Sequence, residues 1–164
     1  MFLFPRLVAV VVAAIAGCWC WCCCVEAGFV TVFEKGKDGY ACFRIPAIVQ
    51  TRSGTLLAFA EGRKLSCADH GWNDLVMKRS TDNGTSWSAL EVVHSESTPT
   101  HHVTIGNPAP VVDPGTGTIH MPYCRNNKQV FVLHSTDDAK TWSSPLNITS
   151  QVLDPTWSWY ATGT

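Results

Sequence analysis

Three charged residues stand out in the first half of the chain: Arg44, Arg63 and Asp69. Arg44 stands in Phe43-Arg44-Ile45-Pro46-Ala47, inside an otherwise apolar strand start. A guanidinium buried there is costly unless it is paired. One reading pairs it with a core carboxylate; the other has it serve a ligand. Arg63 follows nineteen residues later, closing Ala58-Phe59-Ala60-Glu61-Gly62-Arg63, and Asp69 comes six residues after that, in Cys67-Ala68-Asp69-His70-Gly71. Two guanidiniums and a carboxylate are residue types for anion recognition and proton transfer. Spacing alone does not choose between that and structural ion pairing. Trp72, beside Asp69, either shapes a pocket or covers a loop. Glu61 supports Arg63 or a neighbouring backbone.

The elements that must position these residues are short strands. Arg44–Gln50, Thr55–Glu61, Asp74–Arg79 and Trp87–His94 read as four strands separated by turns, among them Asp82-Asn83-Gly84. The pattern then begins again with Ala109–Asp113, Ile119–Cys124, Gln129–His134 and Trp142 onwards. No 3.6-residue apolar period persists over a helix length, so the chain reads as all-β. Ser80-Thr81-Asp82-Asn83-Gly84-Thr85-Ser86-Trp87 matches Ser135-Thr136-Asp137-Asp138-Ala139-Lys140-Thr141-Trp142 at an offset of 55 residues. Four strands per repeat at such a period is the signature of a propeller blade. Each copy looks like an Asp box. Asp82 and Asp137 are therefore turn residues that accept backbone N–H groups, and Asp74 is a strand start rather than a catalytic group.

Composition narrows the function. The chain has 164 residues, 46% hydrophobic, enough for a packed core, and its 12 Lys+Arg balance 13 Asp+Glu with no basic run, which excludes a main role in phosphate or nucleic-acid binding. The histidines (His70, His94, His101, His102, His120, His134) show no ligand spacing, and no Cys/His pattern resembles a zinc site. His101-His102 reads as an exposed loop. Residues 1–27 form a targeting segment. Arg6 precedes an uncharged apolar run from Leu7 to Val25 that suits a cleaved signal peptide, a lipoprotein signal ending at Cys18, or a signal anchor. Each sends residues 28–164 out of the cytosol. Five of the eight cysteines lie in that segment. Cys42, Cys67 and Cys124 remain, so at most one internal pair forms. Cys42 and Cys67 flank Arg44 and Asp69, and a bridge between them is one of the open pairings. Asn83-Gly84-Thr85 and Asn147-Ile148-Thr149 are potential glycosylation acceptors.

Over roughly residues 38–164 the chain resembles the N-terminal part of the sialidases (exo-α-neuraminidases) of the secreted bacterial and trans-sialidase-like type. The carriers are Phe43-Arg44-Ile45-Pro46, the Arg63-to-Asp69 spacing, both Asp boxes, Ile105-Gly106-Asn107-Pro108-Ala109-Pro110, and Trp157-Ser158-Trp159-Tyr160-Ala161-Thr162-Gly163. The resemblance implies a six-bladed β-propeller, of which this chain holds the first two blades and the start of a third. It implies that Arg44 belongs to an arginine triad gripping the sialic acid carboxylate, which a planar guanidinium does bidentately. Asp69 matches the acid/base that protonates the glycosidic oxygen, a role that needs the carboxyl held protonated before reaction, by partial burial or a closed site. Arg63 matches an arginine lining the pocket near the sugar 4-hydroxyl, and Asn107 falls where some members carry a pocket aspartate.

The family's tyrosine nucleophile, its glutamate and two further triad arginines lie in the C-terminal half. Arg52, Arg79 and Arg125 sit in no matching context, and Tyr160 is in the wrong motif for the nucleophile. The expectation is therefore a chain truncated before the nucleophile, from an exo-α-sialidase acting on sialylated glycoconjugates with no metal or organic cofactor. The alternative is an inactive sialic-acid-binding propeller fragment or pseudoenzyme. A third reading, an Asp-box propeller in a receptor ectodomain, conflicts with the Phe-Arg-Ile-Pro motif. The residues do not decide between hydrolysis and transfer to another sugar.

Overall fold

The computed structural model describes residues 28–163. The targeting segment expected over 1–27 lies outside the described residues. Two antiparallel sheets make up the fold. The first runs in sequence order through β1 (Cys42–Gln50), β2 (Leu56–Arg63), β3 (Asn73–Ser80) and β4 (Glu91–His94). The second runs β5 (Ile105–Gly106), β7 (Ile119–Arg125), β8 (Gln129–Ser135), β9 (Leu146–Asn147), with β6 (Val111–Val112) also paired to β7. One four-residue helix, α1 (Thr149–Val152), follows, too short for any apolar period to announce. The pattern is two successive propeller blades.

Every residue of β2 is buried, because it is covered on both faces. Its apolar run Leu56–Ala60 reflects this two-sided burial. Leu57 and Phe59 point, with Leu75 and Met77 of β3, into the core shared with Ile119, Met121 and Tyr123 of the second sheet. Ala60 and Val76 face the other way, against Tyr40, with Phe33 and Phe43 packed around them.

Three expected strands are shorter than their apolar patterns, for identifiable reasons. The fourth strand begins at Glu91 rather than Trp87. There the Ser88 hydroxyl accepts the Arg79 N–H (3.1 Å) while the Ser88 N–H donates to the Arg79 carbonyl (2.9 Å). Ser143 and His134 repeat both bonds in the second sheet (3.0 and 2.9 Å), and strand pairing resumes only at Leu146. The strand expected over Ala109–Asp113 reduces to Val111–Val112, preceded by Ile105–Gly106. Pro108 and Pro110 have no N–H to give the ladder.

The first strand of each blade is broken by the same device. Ile45 (φ 51°) precedes Pro46, and Asn107 (φ 54°) precedes Pro108. A positive φ is a genuine outlier for a β-branched residue such as isoleucine. In β1 the register shifts between Arg44 and Ala47, a bulge that re-aims what precedes it.

The two repeat turns are superposable in their bonding. Asp82 Oδ1 accepts from the Ser80 hydroxyl (2.7 Å) and the Ser86 N–H (2.9 Å), and Oδ2 from the Ser86 hydroxyl (2.6 Å). Asp137 does the same with Ser135 (2.8 Å) and Thr141 (2.9 and 2.6 Å). Asp138 then joins the blades, accepting from Ser53 (2.6 Å), Thr55 (2.7 Å) and Arg79 (2.9 Å) of the first. These turns follow Ser80 and Ser135, at the opposite end of the strands from Arg63 and Asn73.

Candidate functional site

The start of β1, the end of β2 and the start of β3 meet at one end of the first sheet, with Cys42 paired to Arg63, and Arg63 to Asn73, in register. Arg63 is the fixed centre. Its side chain is 3% exposed, and its Nε and Nη2 donate to Glu61 Oε2 at 2.9 and 2.6 Å. Glu61 and Arg63 are two apart on one strand, so both side chains leave the same face. The remaining Nη1 points out of the core, donating to the Cys67 carbonyl (2.7 Å) and to Asp69 Oδ1 (2.9 Å). The same Asp69 oxygen accepts from Arg44 Nη1 at 3.0 Å. Arg44, Arg63 and Asp69, expected separately from the sequence, are thus brought together at a single carboxylate oxygen.

Two expectations are corrected. The burial anticipated for Arg44 belongs to Arg63. Arg44 is 48% exposed, because β1 is an edge strand of its sheet. Of the two routes expected to hold Asp69 protonated, partial burial is absent: its side chain is 72% exposed and ion-paired with Arg44 and Arg63. Hydrogen bonding and charge from Arg63, with Arg44 and His70 adding to it, hold its carboxyl below the usual aspartate range.

Asn107 is tied to the site through its main chain. Its N–H donates to Glu61 Oε1 (2.9 Å), while its side-chain oxygen accepts from Asn127 Nδ2 (3.2 Å). Glu61 is therefore the hub that sequence reading assigned only a supporting part. One oxygen holds Arg63 and the other holds the first strand of the second blade. Gly106 makes room for it, since a Cβ there would lie 2.4 Å from Glu61 Oε1.

Asp74 is buried and accepts from Tyr40 (2.8 Å), Trp72 Nε1 (3.2 Å) and Ser95 (2.5 Å), a fully satisfied structural carboxylate. Burial and this aspartate push the Tyr40 hydroxyl far above its ordinary value. The same contact assigns Trp72 to the loop base, with its ring 5.8 Å from that of the exposed His102. Arg52, Arg79 and Arg125 are occupied by Gly115, Asp138 and Glu96. The Tyr160 hydroxyl donates to the Trp157 carbonyl (2.8 Å). Cys42 and Cys67 form a disulfide, and Cys124 is a buried free thiol whose pKa burial raises. Among the described residues no cluster of three or more His, Cys, Asp or Glu could hold a metal ion, and no helix is long and apolar enough to cross a membrane.

The missed signals were partly legible. Pro46-Ala47 recurs as Pro108-Ala109, and the two pairs mark the two strand breaks. Nothing in the sequence pairs Glu61 with Asn107, because that contact crosses between blades.

Comparison with known proteins agrees with this architecture. The sequence model of the BNR repeat-like domain matches residues 54–164. An exo-alpha-sialidase of Aspergillus fumigatus is 36% identical over 76% of this chain and 38% of its own length. Among solved structures, the Hadza microbial sialidase Hz136 superposes with a TM-score of 0.70 at 32% identity, over 76% of this chain and 29% of that one. The Trypanosoma rangeli sialidase in complex with sialic acid superposes with a TM-score of 0.56 at 14% identity, over 79% of this chain and 23% of that one, a likeness of fold alone. The chain spans well under half the length of each of these proteins. It belongs to the BNR repeat-like domain family, and its relatives there are sialidases.

Proposed function

We propose that this chain supplies the carboxylate clamp and the acid/base of an exo-α-sialidase that removes terminal sialic acids, with retention, from glycoproteins, glycolipids or oligosaccharides. The observation that carries the reading is the convergence of Arg44, Arg63 and Asp69 on one exposed point, in a chain whose relatives are sialidases. The exo-alpha-sialidase of A. fumigatus, 36% identical to this chain, suggests the ligand class.

Arg44 is the exposed, exchangeable cation of the group and would bind the sialoside carboxylate bidentately. That carboxylate takes Arg44 away from Asp69. With the site closed by substrate, Asp69 gains a proton and passes it to the glycosidic oxygen as the bond to the anomeric carbon breaks. A nucleophile, by family resemblance a tyrosine, forms the covalent intermediate. Asp69, now ionised, takes a proton from the water that releases the sugar. Arg63, locked on Glu61, keeps the Asp69 loop in place and borders the sugar pocket, and Asn107 borders it from the second blade. The Cys42–Cys67 bridge supports an extracytoplasmic location, since disulfides persist in oxidising compartments.

The test uses the complete natural polypeptide carrying this sequence. Asp69→Ala should abolish hydrolysis of natural sialosides, whose leaving group needs a proton, and spare part of the hydrolysis of aryl sialosides. Equal loss on both refutes the acid/base role. Arg44→Ala should mainly raise KM, and unchanged kinetics refute the clamp. Sialic acid binding with no turnover by the unmodified protein would favour the non-catalytic alternative.

A further inference from the structure

We propose that the Cys42–Cys67 disulfide is a positioning element of the site, a covalent tether that sets where Asp69 stands relative to Arg44 and makes the acid/base step sensitive to dithiol reductants. The proposal rests on the sialidase reading for its kinetic consequence and on geometry alone for its structural one.

The bridge joins two places that are each two residues from a charged member of the site. Cys42, buried, opens β1 two residues before Arg44. Cys67 lies two residues before Asp69, in the loop between β2 and β3, with a Cα–Cα separation of 5.3 Å across the bridge. That loop has little else to hold it. Residues 65–70 are all exposed, and the one large apolar side chain among them, Leu65, is 62% exposed. Its base is closed by the Lys64 N–H to the Trp72 carbonyl (2.9 Å), and Gly71 is fixed to Thr104 (3.0 Å). Between these points the loop touches the body through Arg63 Nη1, which donates to the Cys67 carbonyl and Asp69 Oδ1, through Asn73 Nδ2, which donates to the Asp69 carbonyl at 3.3 Å, and through the half-exposed Arg44 Nη1, which donates to Asp69 Oδ1 at 3.0 Å and is the contact a sialoside carboxylate would take away. A segment anchored by a few solvent-facing polar bonds opens at low free-energy cost. The disulfide is the anchor that water does not compete with.

Reduction has a defined chemistry. An external dithiol attacks at the exposed Cys67 end. Two electrons and two protons pass to the bridge, leaving two thiols, and the reductant closes to its own cyclic disulfide. The free loop then carries Asp69 away from the glycosidic oxygen, while Arg44, on β1, stays where it is. The loss therefore falls on protonation of the leaving group rather than on binding. A misplacement of about 1 Å can cost about a hundred-fold in a positioned step.

The experiment compares the complete natural polypeptide, with and without dithiothreitol, with its Cys42→Ser/Cys67→Ser variant on two substrates. In the reduced protein kcat/KM on a natural sialyl-oligosaccharide should fall about ten-fold or more, and on an aryl sialoside about three-fold or less. The double variant should match the reduced protein and ignore dithiothreitol. Equal falls on both substrates, or none, overturn the proposal. Hydrogen exchange of the wild type in both redox states provides a reading that needs neither turnover nor a folded variant. Amides of residues 64–72 should exchange faster on reduction while those of β2 and β3 do not change, and unchanged protection of the loop overturns the tether. If the oxidised protein hydrolyses neither substrate, the sialidase reading falls and the exchange result alone decides on the tether.

Discussion

Glu61→Gln is the sharpest probe of how this site is held. Glu61 Oε2 accepts two N–H groups of Arg63, Oε1 accepts the Asn107 N–H, and the carboxylate and guanidinium side chains are 4% and 3% exposed. Glutamine has the same shape but offers one acceptor oxygen and one NH2. If the oxygen stays on Arg63, the NH2 meets the Asn107 N–H, donor against donor. If the amide turns round, it meets Nε and Nη2 instead. Either way a buried donor is orphaned, at about 1–3 kcal/mol. The buried guanidinium also loses its anion, a change that costs about 3–5 kcal/mol when nothing replaces it. Asp69 stays on Nη1 and returns part of this, so the expected loss is about 3 kcal/mol. Guanidinium chloride unfolding of the complete polypeptide at pH 7, with the m-value fitted independently, measures it. Asp69→Asn removes the exposed partner of the same arginine and should leave the midpoint almost unmoved. A loss below about 1 kcal/mol for Glu61→Gln, or an equal loss for Asp69→Asn, would refute the assignment of Glu61 as the hub.

Two further outcomes follow from the same geometry. Gly106→Ala places a methyl 2.4 Å from Glu61 Oε1, on a carboxylate that Asn107 and Arg63 already pin from its two ends, and should cost about 2 kcal/mol or more in the same assay. In a Glu61→Ala background the same substitution should be nearly neutral, and an undiminished cost there would exclude the carboxylate as the clashing group. The repeat turns predict acid sensitivity: hydrogen bonds from Ser86 and Ser80 push Asp82 from an ordinary 3.8 down to about 2, and those from Thr141 and Ser135 lower Asp137 further. A depressed carboxyl stabilises the fold above its unfolded value and stops doing so as pH falls through the folded one, so stability should drop between about pH 4 and pH 2. An Asp82→Asn/Asp137→Asn variant should show a shallower drop in an acid titration followed by circular dichroism; an unchanged slope would place the acid response elsewhere.

The fold was legible wherever a local rule decides the structure. The offset of 55 residues gave the two blades because each turn closes on its own side chains, Ser80 to Ser86 and Ser135 to Thr141. The apolar runs gave β2, β3, β7 and β8, whose burial is dictated by composition. Strand ends were less legible. Ser88 and Ser143 look like ordinary turn residues, and only the ladder reveals that they replace backbone partners. Contacts between blades were not legible at all. Glu61 with Asn107 and Asp138 with Arg79 are separated by 46 and 59 residues, and no periodicity records them.

The arginines show the same division in chemical terms. Arg44 looks anomalous because its sequence neighbours are apolar, yet alternation on an edge strand puts it half in water. Arg63 looks ordinary beside Glu61 and Gly62, yet β2 is covered on both faces, so the costly burial falls there. Glu61, Arg63, Asp69 and Arg44 form a chain of alternating charge that sums to zero. Its inner pair is fixed by burial and its outer pair is open to exchange. On the proposed reading, a sialoside carboxylate landing on Arg44 leaves one negative charge in excess. Arg63 cannot answer it, being held on Glu61. The group that can is Asp69, already exposed and now relieved of Arg44, and the neutralising step open to it is to take up a proton. The ionised arrangement of the free site is then what an acid/base needs before its substrate arrives, because binding itself raises the affinity of Asp69 for the proton it must deliver.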